Sequence, residues 1–302
     1  MNLTELNHRF GIAGVVLFDE DRGFTRLRVT SKACAATIYL QGAHLTAWQP
    51  AGTPPVIFLS RASDFTPGKP LRGGVPVVFP WFATDSKPDR IDGHPGPSHG
   101  FARLQEWSVN AVHHSGPATN IRLTLGPTDM SRSMGFDHFL LTMDITVGTE
   151  LRLQFTVHNQ ADAPLKFEEA LHAYFQVVDV HEATVSGLEP TPYIDKTDHM
   201  TVKPAAGKPI TFTGPVDRVY KDTAAPLTIH DGAQSRAIHV IKSNSMSTVV
   251  WNPGKAMPDL GEWDWHEMLC VETANVDSNA RTLKPSGAWQ MGVTVRVEPL
   301  KG

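Results

Sequence analysis

Cysteine is nearly missing from this chain: Cys34 and Cys270 are the only two in 302 residues. Two thiols cannot build the disulfide framework of a small secreted domain, and neither sits in a CxxC pair suited to zinc or redox work. Long apolar runs are missing too. The start, Met1 to Phe10, has no basic stretch leading into an apolar core, and no later segment approaches the roughly 18 apolar residues that cross a bilayer. A soluble cytoplasmic protein with no membrane partner is expected, and the Asn2-Leu3-Thr4 sequon then has no bearing. A net charge of −4 leaves no basic footprint, so nucleic acid is not expected as a partner. Neither GxGxxG nor GxxxxGK is present to wrap backbone N–H groups around a nucleotide, so a bound phosphate would need Arg or Lys side chains. Neither cysteine has the setting of a nucleophile, and acid–base chemistry by His and carboxylates is the reading the residue types favour.

What the chain does contain is alternation. Hydrophobic residues make up 41% and charged residues 19%, enough to bury a sizeable core. Over several stretches apolar and polar residues alternate with period two, the mark of strands with one buried face. Leu151, Leu153, Phe155 and Val157 form one such set. The apolar-rich run His138 to Val147 should pair with it through Gly148-Thr149, a glycine supplying the positive φ of a tight hairpin. Trp289, Met291, Val293, Val295 and Val297 mark a last strand that closes a sheet. The 23 prolines and 24 glycines are spread along the length, punctuating turns and leaving helices few and short. Polar, turn-rich segments at Thr84–Gly100 and Asn252–Glu262 are where a β protein would build a site. No repeat or composition break divides the chain, so a single domain over 1–302 is expected.

Several ionisable residues invite chemistry. His94 and His99 lie near Asp89 and Asp92 in one loop, but the intervening Pro and Gly give no familiar ligand spacing, and no metal is expected. His113 and His114 should point to opposite faces of a strand, one solvated and one satisfied in the core. His266-Glu267 opens like a zincin motif, yet position 270 is Cys and the second His is absent. In Phe167–Phe175, alternation puts Glu168, Ala170, His172 and Tyr174 on one face and Phe167, Glu169, Leu171, Ala173 and Phe175 on the other. Taken alone, His172 in the middle of an apolar strand fits a hydrogen-bonded structural residue better than a proton carrier. In Met268–Ala274, Cys270, Glu272 and Ala274 oppose Leu269, Val271 and Thr273. A carboxylate there costs several kcal/mol unless paired or used, so Glu272 marks either a salt bridge or a site. Trp263 and Trp265 fit loop anchors better than sugar-stacking platforms.

Five segments, taken in order, carry a resemblance over nearly the whole chain. They are Arg72-Gly73-Gly74-Val75-Pro76 leading to Phe79-Pro80-Trp81-Phe82, His99-Gly100-Phe101-Ala102-Arg103 ending near Trp107, Glu169 to Phe175, Trp251-Asn252-Pro253, and Cys270-Val271-Glu272. Together they resemble the glucose-6-phosphate 1-epimerase branch of the aldose 1-epimerase (galactose mutarotase-like) superfamily. The resemblance implies an all-β antiparallel supersandwich with a sugar pocket on the concave face of one sheet. It implies His172 as general acid and Glu272 as general base, Arg72 and Arg103 on a sugar phosphate, and Asp195 on sugar hydroxyls. His99 and Ser98 join the substrate-binding set, although Ser98 stands where relatives often carry Gln. A monomer that uses no cofactor and interconverts the anomers of a hexose phosphate is the expectation. An epimerase of free aldoses, or a sugar-binding protein without catalysis, would share much of this pattern.

Overall fold

Period-two alternation buries one face of each strand, and two such faces laid together make a sandwich. In the computed structural model, which describes residues 1–83 and 96–300, the alternating segments become two large sheets. A nine-stranded sheet runs in the order Ile210–Thr211, Ala183–Ser186, Leu227–Asp231, Arg236–Ser243, Ala288–Pro299, Leu151–Asn159, Phe139–Val147, Ala118–Leu125, Ser108–Ser115. An eight-stranded sheet runs Thr201–Lys203, Tyr193–Asp195, Val216–Tyr220, Ser247–Asn252, Met268–Asn275, Glu169–Leu171, Val77–Val78, with Tyr174–Gln176 also paired to Met268–Asn275. Neighbouring strands within both sheets pair antiparallel. The molecule is therefore all-β and antiparallel, as the alternation and the resemblance both require.

The main core lies between these sheets. Phe155, Val157, Met291 and Val293 from one meet Leu171, Phe175, Leu269 and Val271 from the other in one buried cluster. A four-stranded meander, Val16–Asp21 to His44–Pro50, adds to the same cluster, and the Trp48 indole N–H donates to the Gly148 carbonyl at 3.2 Å. Helix is confined to short pieces such as Leu3–Phe10, whose N-terminus is closed by reciprocal bonds between Asn2 and Glu5. Among the described residues no helix is long and apolar enough to cross a membrane.

Local expectations needed correction in four places. The hairpin forms in register, Val147 opposite Leu151, but Gly148 is not at positive φ. Glycine is required there because a Cβ would lie 2.8 Å from the Pro117 carbonyl oxygen. The C-terminal strand pairs on both sides, with Leu151–Asn159 and Arg236–Ser243, so it sits inside its sheet rather than closing it. Residues 165–176 form three short strands instead of one, interrupted at Glu168 and at His172-Ala173. His113 is exposed, while His114 is only partly buried and bonds Thr119 Oγ1 at 3.0 Å; neither is a core residue. His94, Asp89 and Asp92 lie outside the described residues.

Candidate active site

The face of the eight-stranded sheet turned away from the main core is where the ionisable groups gather. Side-chain parity survives the break at His172: Leu171, Ala173 and Phe175 face the main core, whereas Ala170 and Tyr174 belong to separate clusters on the other face. On the partner strand, Leu269 and Val271 face the core, and Cys270 and Ala274 the outer clusters. His172 and Glu272 share the outer parity. Their strands are neighbours, with Leu171 opposite Thr273 and Tyr174 opposite Cys270. The imidazole Nε2 and carboxylate Oε1 come within 3.3 Å, although the residues are a hundred positions apart in the chain.

Both members of the pair are enclosed, His172 7% and Glu272 1% exposed. Burial is the leading influence on each, and it works against charge. It drives the His172 imidazole well below its usual range, helped by His99, Arg103 and Arg72. It drives the Glu272 carboxyl well above its usual range, where the Asp217 charge adds to the effect while Lys196 and Arg103 oppose it. Two groups so arranged favour holding one proton between them. His172 Nδ1 and Glu272 Oε2 are buried without hydrogen-bond partners among the described residues, leaving polar atoms for a ligand to satisfy.

Two arginines reach this cluster from loops whose geometry glycine sets. Gly73, at φ +115°, follows Arg72, and a Cβ there would lie 2.7 Å from the Phe58 carbonyl oxygen. Arg72 donates from Nε and Nη2 to Asp259 Oδ2 at 2.9 and 2.6 Å, and from Nη1 to the Tyr174 hydroxyl at 3.1 Å. Burial works against its charge, but Tyr174 and Asp259 outweigh that and hold it above the ordinary guanidinium range. Arg103 stands in a short turn, Ala102–Leu104, anchored by Gly100, at φ +73°, against the Phe79 carbonyl. Its Nη2 donates to the Ser98 carbonyl at 2.7 Å and its Nε has no partner among the described residues. Burial draws Arg103 down to about 10 against the pull of Tyr174, Asp259 and Glu272, and among the described residues no carboxylate forms an ion pair with it.

The remaining candidates divide. His99 is brought in: its ring meets that of His172 edge to face at 5.4 Å, and its Nδ1 accepts the Ala83 N–H at 3.2 Å. Burial, then Arg103, Lys196 and Arg72, lower it to about 3. A neutral His99 accepting at Nδ1 carries its proton on Nε2. Ser98 contributes its carbonyl to Arg103. The Asp195 carboxylate is engaged in capping a turn, accepting the Thr197 N–H and hydroxyl at 3.0 and 2.6 Å. Its neighbour Ile194 lies opposite Val219, on the face that carries Val249 and Ala274. Asp217, two residues before Val219, shares that face and was missed from sequence. It pairs with Lys196 Nζ at 3.2 Å, and its Oδ1 is buried without a partner among the described residues. Trp265 packs against the Tyr174 cluster as an anchor, and Trp263 is 65% exposed. His266-Glu267 lies in a short turn, Glu267 paired with Arg61. Among the described residues no group of three or more His, Cys, Asp or Glu is placed to hold a metal ion.

An antiparallel sandwich with a buried imidazole–carboxylate pair beside two arginines is suited to proton chemistry on a small anionic or polyhydroxyl ligand. A model of the aldose 1-epimerase family matches residues 25–296, and the chain belongs to that family of sugar isomerases. It is 33% identical to a Salmonella typhimurium protein provisionally named glucose-6-phosphate 1-epimerase, covering 83% of this chain and 84% of that one. A Cenchrus ciliaris protein of the same provisional name is 30% identical over 89% of this chain and 83% of its own. A Salmonella typhimurium crystal structure, provisionally described as a mutarotase, superposes with a TM-score of 0.88 at 28% identity, covering 96% of each chain.

Proposed function

We propose that the protein interconverts the α and β anomers of a hexose 6-phosphate, D-glucose 6-phosphate in particular, in the cytoplasm and by acid–base ring opening. The observation that carries this is the 3.3 Å approach of His172 and Glu272. Opening a pyranose removes a proton from the O1 hydroxyl and delivers one to the ring oxygen O5. Both oxygens are bonded to C1, so their two proton partners must sit side by side.

In the forward direction the pair's single proton lies on His172; the Glu272 carboxylate takes the O1 proton, C1=O1 forms as the C1–O5 bond breaks, and His172 protonates O5. Rotation about C1–C2 turns the other face of the aldehyde toward O5, and closure with both protons returned gives the opposite anomer. Two protons move and no electron does, so the chemistry asks for no redox partner. Arg103, largely enclosed and without an ion-pair partner among the described residues, and Arg72, with N–H donors to spare among them, supply charge-assisted bonds suited to a phosphate. Asp217 takes the hydroxyl-binding part that the resemblance gave to Asp195. The test is α/β exchange measured by NMR on glucose 6-phosphate. His172→Ala and Glu272→Gln, each folded by circular dichroism, should lose about 10²- to 10⁴-fold in kcat. Near-normal turnover in either removes that residue from the mechanism.

A further inference from the structure

A proton-carrying histidine is usually oriented by a hydrogen bond at its second ring nitrogen. His172 has none: its Nδ1 is buried and unpartnered among the described residues. Its backbone lies where the strand is interrupted, its N–H going to the Pro76 carbonyl at 3.0 Å. What holds the ring is a plate. The Tyr174 ring stacks on it with centroids 4.9 Å apart and planes 11° from parallel. Trp251 turns its edge to both rings, at 6.0 Å from Tyr174 and 6.4 Å from His172.

Tyr174 is itself fixed. It is 3% exposed and packs with Phe58, Leu260, Met268 and Cys270. Its hydroxyl accepts from Arg72 Nη1 at 3.1 Å, while Asp259 holds the Nε and Nη2 side of the same guanidinium. Among the described residues three of the five guanidinium N–H donors are thus committed, and two remain for a ligand. One aromatic side chain therefore touches both the anion-binding arginine and the imidazole.

We propose that Tyr174 is a positioning residue that couples the two ends of the site: its hydroxyl orients Arg72 and its ring orients His172. This rests on the function proposed above, with Arg72 on the phosphate and His172 on the ring oxygen. The two contacts are separable by mutation. Tyr174→Phe keeps the plate and loses the hydroxyl; Tyr174→Leu loses both.

The experiment measures kcat and KM by NMR exchange for glucose 6-phosphate and glucose, with wild type, His172→Ala and both Tyr174 variants in parallel. Tyr174→Phe should raise KM for glucose 6-phosphate about three- to tenfold, the range of one lost hydrogen bond, with kcat changed less than about twofold. Tyr174→Leu should in addition lower kcat on both sugars by about tenfold or more, because a displaced proton donor loses alignment with O5. A purely structural role would lower the melting temperature of both variants without splitting KM from kcat. Folded Tyr174→Leu with wild-type kcat overturns the coupling, as does Tyr174→Phe with the same losses as Tyr174→Leu. Wild type without exchange activity overturns the proposed function, and this inference with it.

Discussion

Arg103 offers the sharpest test, because one substitution should move stability and substrate affinity in opposite directions. Part of its side chain remains accessible, but among the described residues the Nε is buried and unpartnered and the one hydrogen bond of the guanidinium goes to the Ser98 carbonyl. Burial draws the group down to about 10, equivalent to a charging cost of at most about 3 kcal/mol at ~1.4 kcal/mol per decade. Below about pH 10 both the folded and unfolded chains carry this charge, so the penalty is fully present at neutral pH. It fades only as the folded guanidinium deprotonates and the unfolded one does not. Arg103→Met keeps the apolar stem and removes the charge, so the melting temperature at pH 7 should rise by about 2 to 5 °C. Saturating glucose 6-phosphate should stabilise the wild type by mass action and the variant far less. KM for glucose 6-phosphate should rise roughly ten- to a hundredfold, the worth of a hydrogen bond to a charged group, with a smaller change for glucose. Calorimetry and NMR exchange read the two effects. A variant that melts lower than wild type, or loses equally on both sugars, refutes the assignment of Arg103 as a charge waiting for an anion.

Two other substitutions follow from the charges around Glu272. Lys196 is the first charge opposing the upward push of burial on that carboxyl; a base works only when ionised, so activity falls as pH drops through its raised value. Lys196→Met should therefore move the low-pH limb of kcat/KM upward, and Lys196→Arg should restore it; an unmoved limb excludes the linkage. Asp217→Asn should, on the proposed hydroxyl-binding role, raise KM for glucose and glucose 6-phosphate alike, whereas Asp195→Asn should have the smaller effect of losing a turn cap. The reverse order of severity would return the binding role to Asp195.

How far the sequence carries depends on whether a contact is local. Parity is local, so alternation alone placed His172 on the face opposite Leu171 and Glu272 on the face opposite Val271, and the two faces proved to be the same one. Pairing is not local: nothing in either strand announces that Leu171 lies opposite Thr273. Val216–Tyr220 reads VDRVY, two polar residues in a row, so parity gave no reason to single out Asp217. Tyr193-Ile194-Asp195 matched a family pattern, and there the fold turns the acid into a cap for the next turn. The visible clue was that Asp217 stands two positions from an apolar strand residue, as Glu272 does. The Arg72–Asp259 contact spans 187 positions and only the folded chain can show it. Gly148 illustrates a milder failure, since a glycine can be required by a neighbouring carbonyl as well as by its own φ.

On the resemblance, Arg72 and Arg103 hold the sugar phosphate and should govern affinity more than the chemical step. The geometry gives them a second action. Both lower the proton affinity of His172 in the free protein, after burial and His99. On the proposed function, a phosphate bound between them would offset those charges, so the imidazole would hold a proton more readily with the phosphorylated sugar present than without it. Free glucose brings no such change. The phosphate group then acts on the chemical step through the field it cancels, without touching the reacting carbon. The Arg103→Met protein reports this as well: part of the depression is removed permanently, so the ratio of kcat on glucose 6-phosphate to kcat on glucose should shrink toward one. A ratio as large as in the wild type would confine both arginines to binding.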